Sequence, residues 1–392
     1  MRIVVALVVA ACATQRVQAR NKKRKFIQIR QARAQEKRLK GLRPCNATDY
    51  ALGLPGAWQA AADRRAPAFG AAAVENAYLA GGGASAAYAR LPHDYVPAEC
   101  RLRRFDARDF VARCREGRRL AFLGDSLAEQ IYKALVGTLA HSGLAPSRTS
   151  CGEGCASDAF AIPETERFGG FKQSTWSTDV LERFKVSRFD EAAFERVDKA
   201  ARFGPKDVVV LSLGAHYKNA SRYAADVEAL LAWIARGPRR RRATWVWREF
   251  SPTHFPVDTG SYEDFVRCPK CLKWPLRCAG HALRADASMA AQRWRNDAAA
   301  PLLERAAADV RVLPLYELVR GDWRSHPGST EPLDLDGPAC GGDPDRLRRR
   351  SRGAAGATKG KCALDCLHLS PKYNHLAVRM LYNLLCFDAP PG

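Results

Sequence analysis

Four short apolar runs break up the second two-thirds of the chain: Leu120-Ala-Phe-Leu-Gly124, Asp207-Val-Val-Val-Leu-Ser-Leu213, Thr244-Trp-Val-Trp-Arg248 and Val310-Arg-Val-Leu-Pro-Leu315. In such runs apolar residues occupy consecutive rather than alternate positions, which predicts strands buried on both faces. Between them the period changes to that of a helix. Leu127, Ile131, Leu135 and Leu139 form one apolar stripe directly after Gly124, and helical stretches are predicted over 221–235 and 287–308. Phe105 to Cys114 reads as a helix leading into the first strand. Near the end, Ser370-Pro371 followed by Leu376, Met380 and Leu384 reads as an N-cap, a first-turn proline and an amphipathic closing helix. Strands alternating with helices predict an α/β domain over 119–388, its parallel sheet covered on both faces and its sites gathered at the carboxyl ends of the strands.

The chain upstream of this pattern reads differently. Residues 1–19 carry Arg2 at their start, run through an apolar stretch and end in Val17-Gln-Ala19, which predicts a secretory signal or, because basic residues follow, a short signal anchor. Val9-Ala-Ala-Cys12 faintly resembles a lipoprotein signal. Residues 20–43, with Lys22-Lys-Arg-Lys25, show no core-forming period and read as a basic stem. Residues 44–118 form a Cys-containing subdomain rich in Ala, Gly and Pro, with Trp58, Tyr78, Tyr88 and Tyr95 scattered through it; Gly81-Gly-Gly83 predicts irregular structure.

Composition adds two constraints. At 392 residues with 47% hydrophobic positions, the chain is long enough for one large core or a main domain with a smaller one. The net charge of +22 is concentrated in the stem and in Arg239-Arg-Arg-Arg242 and Arg348-Arg-Arg350. No nucleic-acid module accompanies these runs, so an acidic glycan or a membrane surface is the better partner, or the charge simply solubilises. The segment 321–361, rich in Gly, Pro and Arg, reads as a flap or as disorder.

The thirteen cysteines become interpretable in a secretory chain. Setting Cys12 aside leaves twelve, an even number that suits disulfides in an oxidising lumen. Cys268, Cys271, Cys278 and His281 also have the spacing of a Cys3His zinc site, but the compartment favours disulfides and no metal is expected. Asn46-Ala-Thr48 and Asn219-Ala-Ser221 are glycosylation sequons.

The candidate chemistry lies in two distant segments. Gly124-Asp125-Ser126 places a serine where a buried strand turns into a helix, and free N–H groups at that helix start can stabilise an oxyanion. Asp125 or Ser126 can equally serve only as a helix cap. Asp365-Cys-Leu-His368 offers an imidazole with a carboxylate three residues before it, the base and orienting group a serine nucleophile needs. Ser212-Leu-Gly-Ala-His-Tyr217 follows the second strand, and Arg248 with Ser251-Pro-Thr-His254 follows the third. His216 and His254 therefore fall on the same sheet edge as Ser126.

These residues, in this order, resemble the PC-esterase group of SGNH-like proteins, which includes the trichome-birefringence-like polysaccharide O-acetyltransferases. Gly56-Ala-Trp58 and Cys100-Arg-Leu-Arg-Arg-Phe-Asp106 are similar to that family's lead-in, and the signal or anchor with its basic stem resembles its Golgi topology. The resemblance implies a flavodoxin-like three-layer α/β/α fold and transfer of an acetyl group to a sugar hydroxyl through an acetyl-serine. It assigns Ser126 as nucleophile, His368 as base and Asp365 as its partner. Gly124, Asp125, Ser212, Gly214, His216, Arg248 and His254 form the surrounding oxyanion and substrate-binding group. Two departures stand out. Ser212 occupies the place of an asparagine that would donate to the oxyanion, and Leu369-Ser-Pro-Lys-Tyr373 replaces a Trp-Cys-Leu-Pro-Gly run. Gly169-Gly170 is a candidate for the family's second oxyanion glycine.

The expected activity is therefore a luminal carbohydrate O-acetyltransferase that needs an acetyl donor but no bound cofactor, and whose partner is a polysaccharide or glycan acceptor. An O-acetyl esterase and a non-catalytic glycan-binding protein are the alternatives. Expected localisation is the Golgi lumen or outside the cell, with membrane association through the N-terminal segment.

Overall fold

The computed structural model describes residues 41–43, 45, 50, 56–60, 93–111, 119–141, 145–149, 155–161, 179–255, 257, 261–267, 278, 292–306, 310–320, 326, 366–369 and 371–387. The N-terminal 1–40 segment, the Asn46 sequon, Gly81-Gly-Gly83, Gly169-Gly170, Cys268, Cys271, His281, all of 321–361 except His326, Asp365 and Ser370 lie outside the described residues.

Nine strands are described. β1 (Gly56–Ala60) and β2 (His93–Pro97) form an antiparallel pair. The others are β3 (Leu120–Gly124), β4 (Ala145–Thr149), β5 (Cys155–Ala161), β6 (Asp179–Lys185), β7 (Val208–Ser212), β8 (Thr244–Arg248) and β9 (Val310–Leu313), in one sheet of order β4-β5-β6-β3-β7-β8-β9. Five of them, β6, β3, β7, β8 and β9, run parallel; β4 and β5 extend one edge antiparallel. The described α-helices of five or more residues are α1 (Ser126–His141), α2 (Glu191–Ala201), α3 (Ala220–Arg236), α4 (Tyr262–Arg267), α5 (Trp294–Glu304), α6 (Tyr316–Arg320) and α7 (Pro371–Cys386). This is a mixed α/β architecture built on a parallel sheet.

The unbroken apolar runs follow from the two cores. Successive strand residues point to opposite faces. Leu120, Phe122, Val208, Val210 and Val246 pack with Ile131, Leu135 and Leu139 of α1 and Leu376, Met380 and Leu384 of α7. Ala121, Leu123, Val209, Leu211, Trp245 and Trp247 pack on the other face with Phe194 of α2, Val227, Leu230, Trp233 and Ile234 of α3, and Ala299 of α5. A central strand with a helix on each side is buried on both faces, and Val208–Ser212 is buried throughout, its one polar residue, Ser212, falling at the carboxyl end.

Several elements differ from the sequence expectation. β6 and α2 were not foreseen, because Asp179-Val-Leu-Glu-Arg-Phe-Lys185 neither alternates nor runs apolar. The helix expected from Phe105 to Cys114 starts at Ala107, capped by Asp106, and its helical residues run through 111, with 112–118 outside the described residues. The helix expected over 287–308 is described over Trp294–Glu304, with 287–291 and 307–308 outside the described residues. Within the basic run 239–242, Arg240 is buried rather than solvated: it donates to Asp198 Oδ2 at 2.7 Å and to the Trp233 carbonyl at 3.0 Å, with its guanidinium over the Trp233 ring.

The lead-in is tied to the closing helix. Cys45 and Cys100 form a disulfide, Tyr50 donates to the Met380 carbonyl at 2.9 Å, and Asn383 both accepts from Arg103 N and donates to Arg103 O. A second disulfide joins Cys278 to Cys366. Two disulfides accord with an oxidising compartment. Among the described residues no helix is long and apolar enough to cross a membrane.

Candidate active site

The site is built where β3 turns into α1. Gly124 lies against β7 so closely that a Cβ there would fall 2.1 Å from the Ser212 carbonyl oxygen. The same approach lets Asp125 N donate to Ser212 O at 3.1 Å, while Val186 N donates to Gly124 O at 2.9 Å. Ser126, half-buried, is the first residue of α1, so its own N–H has no acceptor within the helix.

Asp125 is buried and both its carboxylate oxygens are engaged. Oδ1 accepts from Leu127 N at 3.0 Å, capping the helix, and Oδ2 accepts from Ala215 N at 3.2 Å in the loop after β7. Burial raises its pKa above the ordinary 3.8, opposed by those two N–H groups and by the charges of Arg248 and His216. The Ser212 hydroxyl points toward the same carboxylate, 3.5 Å from Oδ1.

His368 reaches the site from the far end of the chain. Its Nε2 lies 2.8 Å from Ser126 Oγ. With Nε2 as acceptor, the ring hydrogen sits on Nδ1, the atom expected to face Asp365, which is outside the described residues. The 366–369 segment carrying His368 is held at Cys366, His368 and Leu369 by contacts from other elements. Cys366 is bonded to Cys278, and its carbonyl accepts from His254 N at 3.1 Å. The His368 carbonyl lies 2.8 Å from His326 Nδ1, and Leu369 N donates to Gln130 Oε1 of α1 at 3.1 Å. Asn374 Nδ2 donates to the Leu369 carbonyl at 2.8 Å. Because Gln130 lies one turn after Ser126, α1 holds both the serine and the histidine segment.

The remaining predicted residues surround this pair. Arg248 is 1% exposed; Nη1 donates to the Glu249 carbonyl at 2.9 Å and Nη2 to Ser251 Oγ at 3.0 Å, while Nε has no partner. Burial pushes its pKa down to about 10, against the opposing charges of Asp125 and Glu249. Gly214 packs where a Cβ would meet the Phe250 ring at 2.7 Å. His216 is exposed, and its carbonyl accepts two bonds from Arg188. His254, by contrast, is buried with its ring toward His326 and the Arg320 carbonyl rather than toward solvent.

Four supporting residues escaped sequence reasoning. Gln130, His326 and Asn374 hold the His368 segment, and Arg295 holds the β7–α3 loop by donating to the Gly214 and Tyr217 carbonyls at 2.9 and 2.6 Å. Gln130 was the one legible of the four, as a polar residue one turn after the serine on a helix that is otherwise largely buried.

Cys278, one of the four residues with zinc-site spacing, is consumed in its disulfide. Among the described residues no group of three or more His, Cys, Asp or Glu side chains is placed to hold a metal ion. No protein-family model matches the chain, and no curated protein matches it.

Proposed function

We propose that this chain is a carbohydrate O-acetyltransferase of the SGNH-like, flavodoxin-like type, acting through an acetyl-serine on Ser126. The observation that carries the reading is the 2.8 Å approach of His368 Nε2 to Ser126 Oγ at the carboxyl edge of a parallel sheet. The strand order supports it. In chain order the five parallel strands run 2-1-3-4-5 across the sheet, and Ser126 follows the first of them, at the point where the order reverses and doubly wound sheets place their sites.

In the first half-reaction His368 takes the Ser126 hydroxyl proton as Oγ attacks the donor's acetyl carbonyl. The Ser126 and Gly214 N–H groups serve the oxyanion, a role the short Ser212 hydroxyl does not fill while directed at Asp125. Collapse leaves acetyl-Ser126 and passes the proton from His368 to the departing donor group. In the second half His368 takes the proton of a sugar hydroxyl, which attacks the acetyl carbonyl; Ser126 recovers its proton and the O-acetylated sugar leaves. Asp365 orients His368 through Nδ1. The proposed setting is the Golgi lumen or outside the cell; the disulfides support an oxidising compartment of that kind.

Intact-mass spectrometry after exposure to an activated acetyl ester tests this. The native chain is expected to gain one acetyl group that oligosaccharide discharges with formation of acetylated sugar, and Ser126→Ala and His368→Gln are expected to gain none. Discharge to acetate regardless of sugar would make the protein an esterase. Equal labelling of Ser126→Ala would remove Ser126 from the reaction.

A further inference from the structure

Behind the histidine segment lie two imidazoles that the Ser126 chemistry does not use. His254 is 2% exposed and His326 is 0% exposed. His254 Nδ1 lies 2.7 Å from His326 Nε2, and each outer nitrogen faces a main-chain carbonyl: His326 Nδ1 lies 2.8 Å from His368 O and His254 Nε2 lies 3.2 Å from Arg320 O. A carbonyl oxygen only accepts, so each outer nitrogen bonds its carbonyl only when it carries hydrogen. A neutral imidazole has one hydrogen. Two neutral rings with both hydrogens on the outer nitrogens leave two lone pairs facing each other at 2.7 Å, and moving one hydrogen to His254 Nδ1 leaves the Nε2 lone pair of His254 against the Arg320 carbonyl at 3.2 Å. Three hydrogens on the four nitrogens satisfy all three of these contacts.

We propose that His254 and His326 hold one proton in common, as a buried imidazole–imidazolium pair that clamps the main chain of His368. The two end carbonyls solvate the shared charge, and a hydrogen bond from a charged donor is about twice as strong as a neutral one. The clamp is double, because the His254 main-chain N–H also donates to the Cys366 carbonyl. His254 arrives from the loop after β8 and His326 from the chain beyond α6, so the shared proton joins two separate segments to the one that carries His368. Neither ring contacts Ser126 in the described geometry, so they are positioning residues. Calling His368 a base rests on the proposed function; the proton count does not.

The test is histidine-selective 15N NMR of the full chain at neutral pH, with His254→Gln and His326→Gln assigning the signals. Three protonated nitrogens among the four, one proton coupled to nitrogens of both rings, is the expected result. Two or four protonated nitrogens would overturn the proposal. A kinetic readout follows acetylation of Ser126 by 4-nitrophenyl acetate. His326→Gln is expected to slow it by about 10²-fold, the cost of a reacting group displaced by about 1 Å, with KM for the ester unchanged. His326→Asn, whose amide can still donate to the His368 carbonyl, is expected to recover part of the rate. An unaltered rate in a folded His326→Gln chain would overturn the positioning role. If native Ser126 takes no acetyl group, the proposed function fails, and the NMR count still decides the pair.

Discussion

Gln130 Oε1 accepts the main-chain N–H of Leu369 at 3.1 Å, across 239 residues of sequence. The contact matters because Gln130 lies one turn after Ser126 and Leu369 directly follows His368, so the Ser126 hydroxyl and the imidazole are referenced to the same helix. Replacing Gln130 with Leu, of similar volume, leaves the buried Leu369 N–H without its acceptor. The expected cost is about 1–3 kcal/mol of stability. Acetylation of Ser126 should fall by more than that loss implies, since His368 is then free to shift; denaturant unfolding and the burst of nitrophenol read the two effects separately.

Gly124→Ala tests how close the nucleophile turn lies to β7. The added Cβ would sit 2.1 Å from the Ser212 carbonyl oxygen, a main-chain atom in the centre of the sheet that cannot move without shifting β7. Destabilisation of at least about 1–3 kcal/mol is expected, the range for overpacking a filled core. An unchanged denaturation midpoint would contradict the close approach.

The Cys278–Cys366 disulfide ends two residues before His368. Cys366→Ser should lower stability by about 2–5 kcal/mol, the usual range for a native disulfide. In conditions where the variant stays folded, acetylation of Ser126 should be slower than in the native chain, because one of the fixings of the 366–369 segment is gone. Equal rates would show that the hydrogen bonds suffice.

Asp125 gives a pH signature. Burial holds its folded-state pKa above the ordinary 3.8, so the folded chain binds this proton more tightly than the unfolded chain. Its favourable contribution is therefore complete below pH 3.8 and is lost as pH rises through the raised folded value. Comparing unfolding free energies of native and Asp125→Asn chains from pH 4 to 7 isolates the effect: the native chain should lose stability relative to the variant as pH rises. Arg248 faces the same carboxylate and lowers its pKa, so Arg248→Met should extend that loss to higher pH. A constant difference across the range would show that the carboxyl titrates as it does in water.

Local pattern was enough to expose the parts of this protein whose environment is uniform. β3, β7 and β8 read as buried strands because both their faces meet helices, and the stripes of α1 and α7 read as helices because each buries one face. Gly124-Asp125-Ser126 was legible as a turn for the same reason: an apolar run ends there and a helical period begins. β6 was not legible. It lies between β3 and the antiparallel β5, and its Glu182, Arg183 and Lys185 leave no apolar run to read. The pairing of Cys278 with Cys366 was equally hidden, because twelve cysteines admit many connectivities.

What the tertiary structure alone decided was which polar residues meet. His254 read as a residue on the sheet edge with His216, yet the fold sends His216 outward to solvent and turns His254 inward to His326. Sequence records the type of a residue and its neighbours along the chain; a hydrogen bond depends on distances of about 3 Å between atoms that here lie tens to hundreds of positions apart. Gln130 and Leu369, Ser126 and His368, and His254 and His326 are such pairs, and only the packing of α1, α7 and the strand ends brings them together.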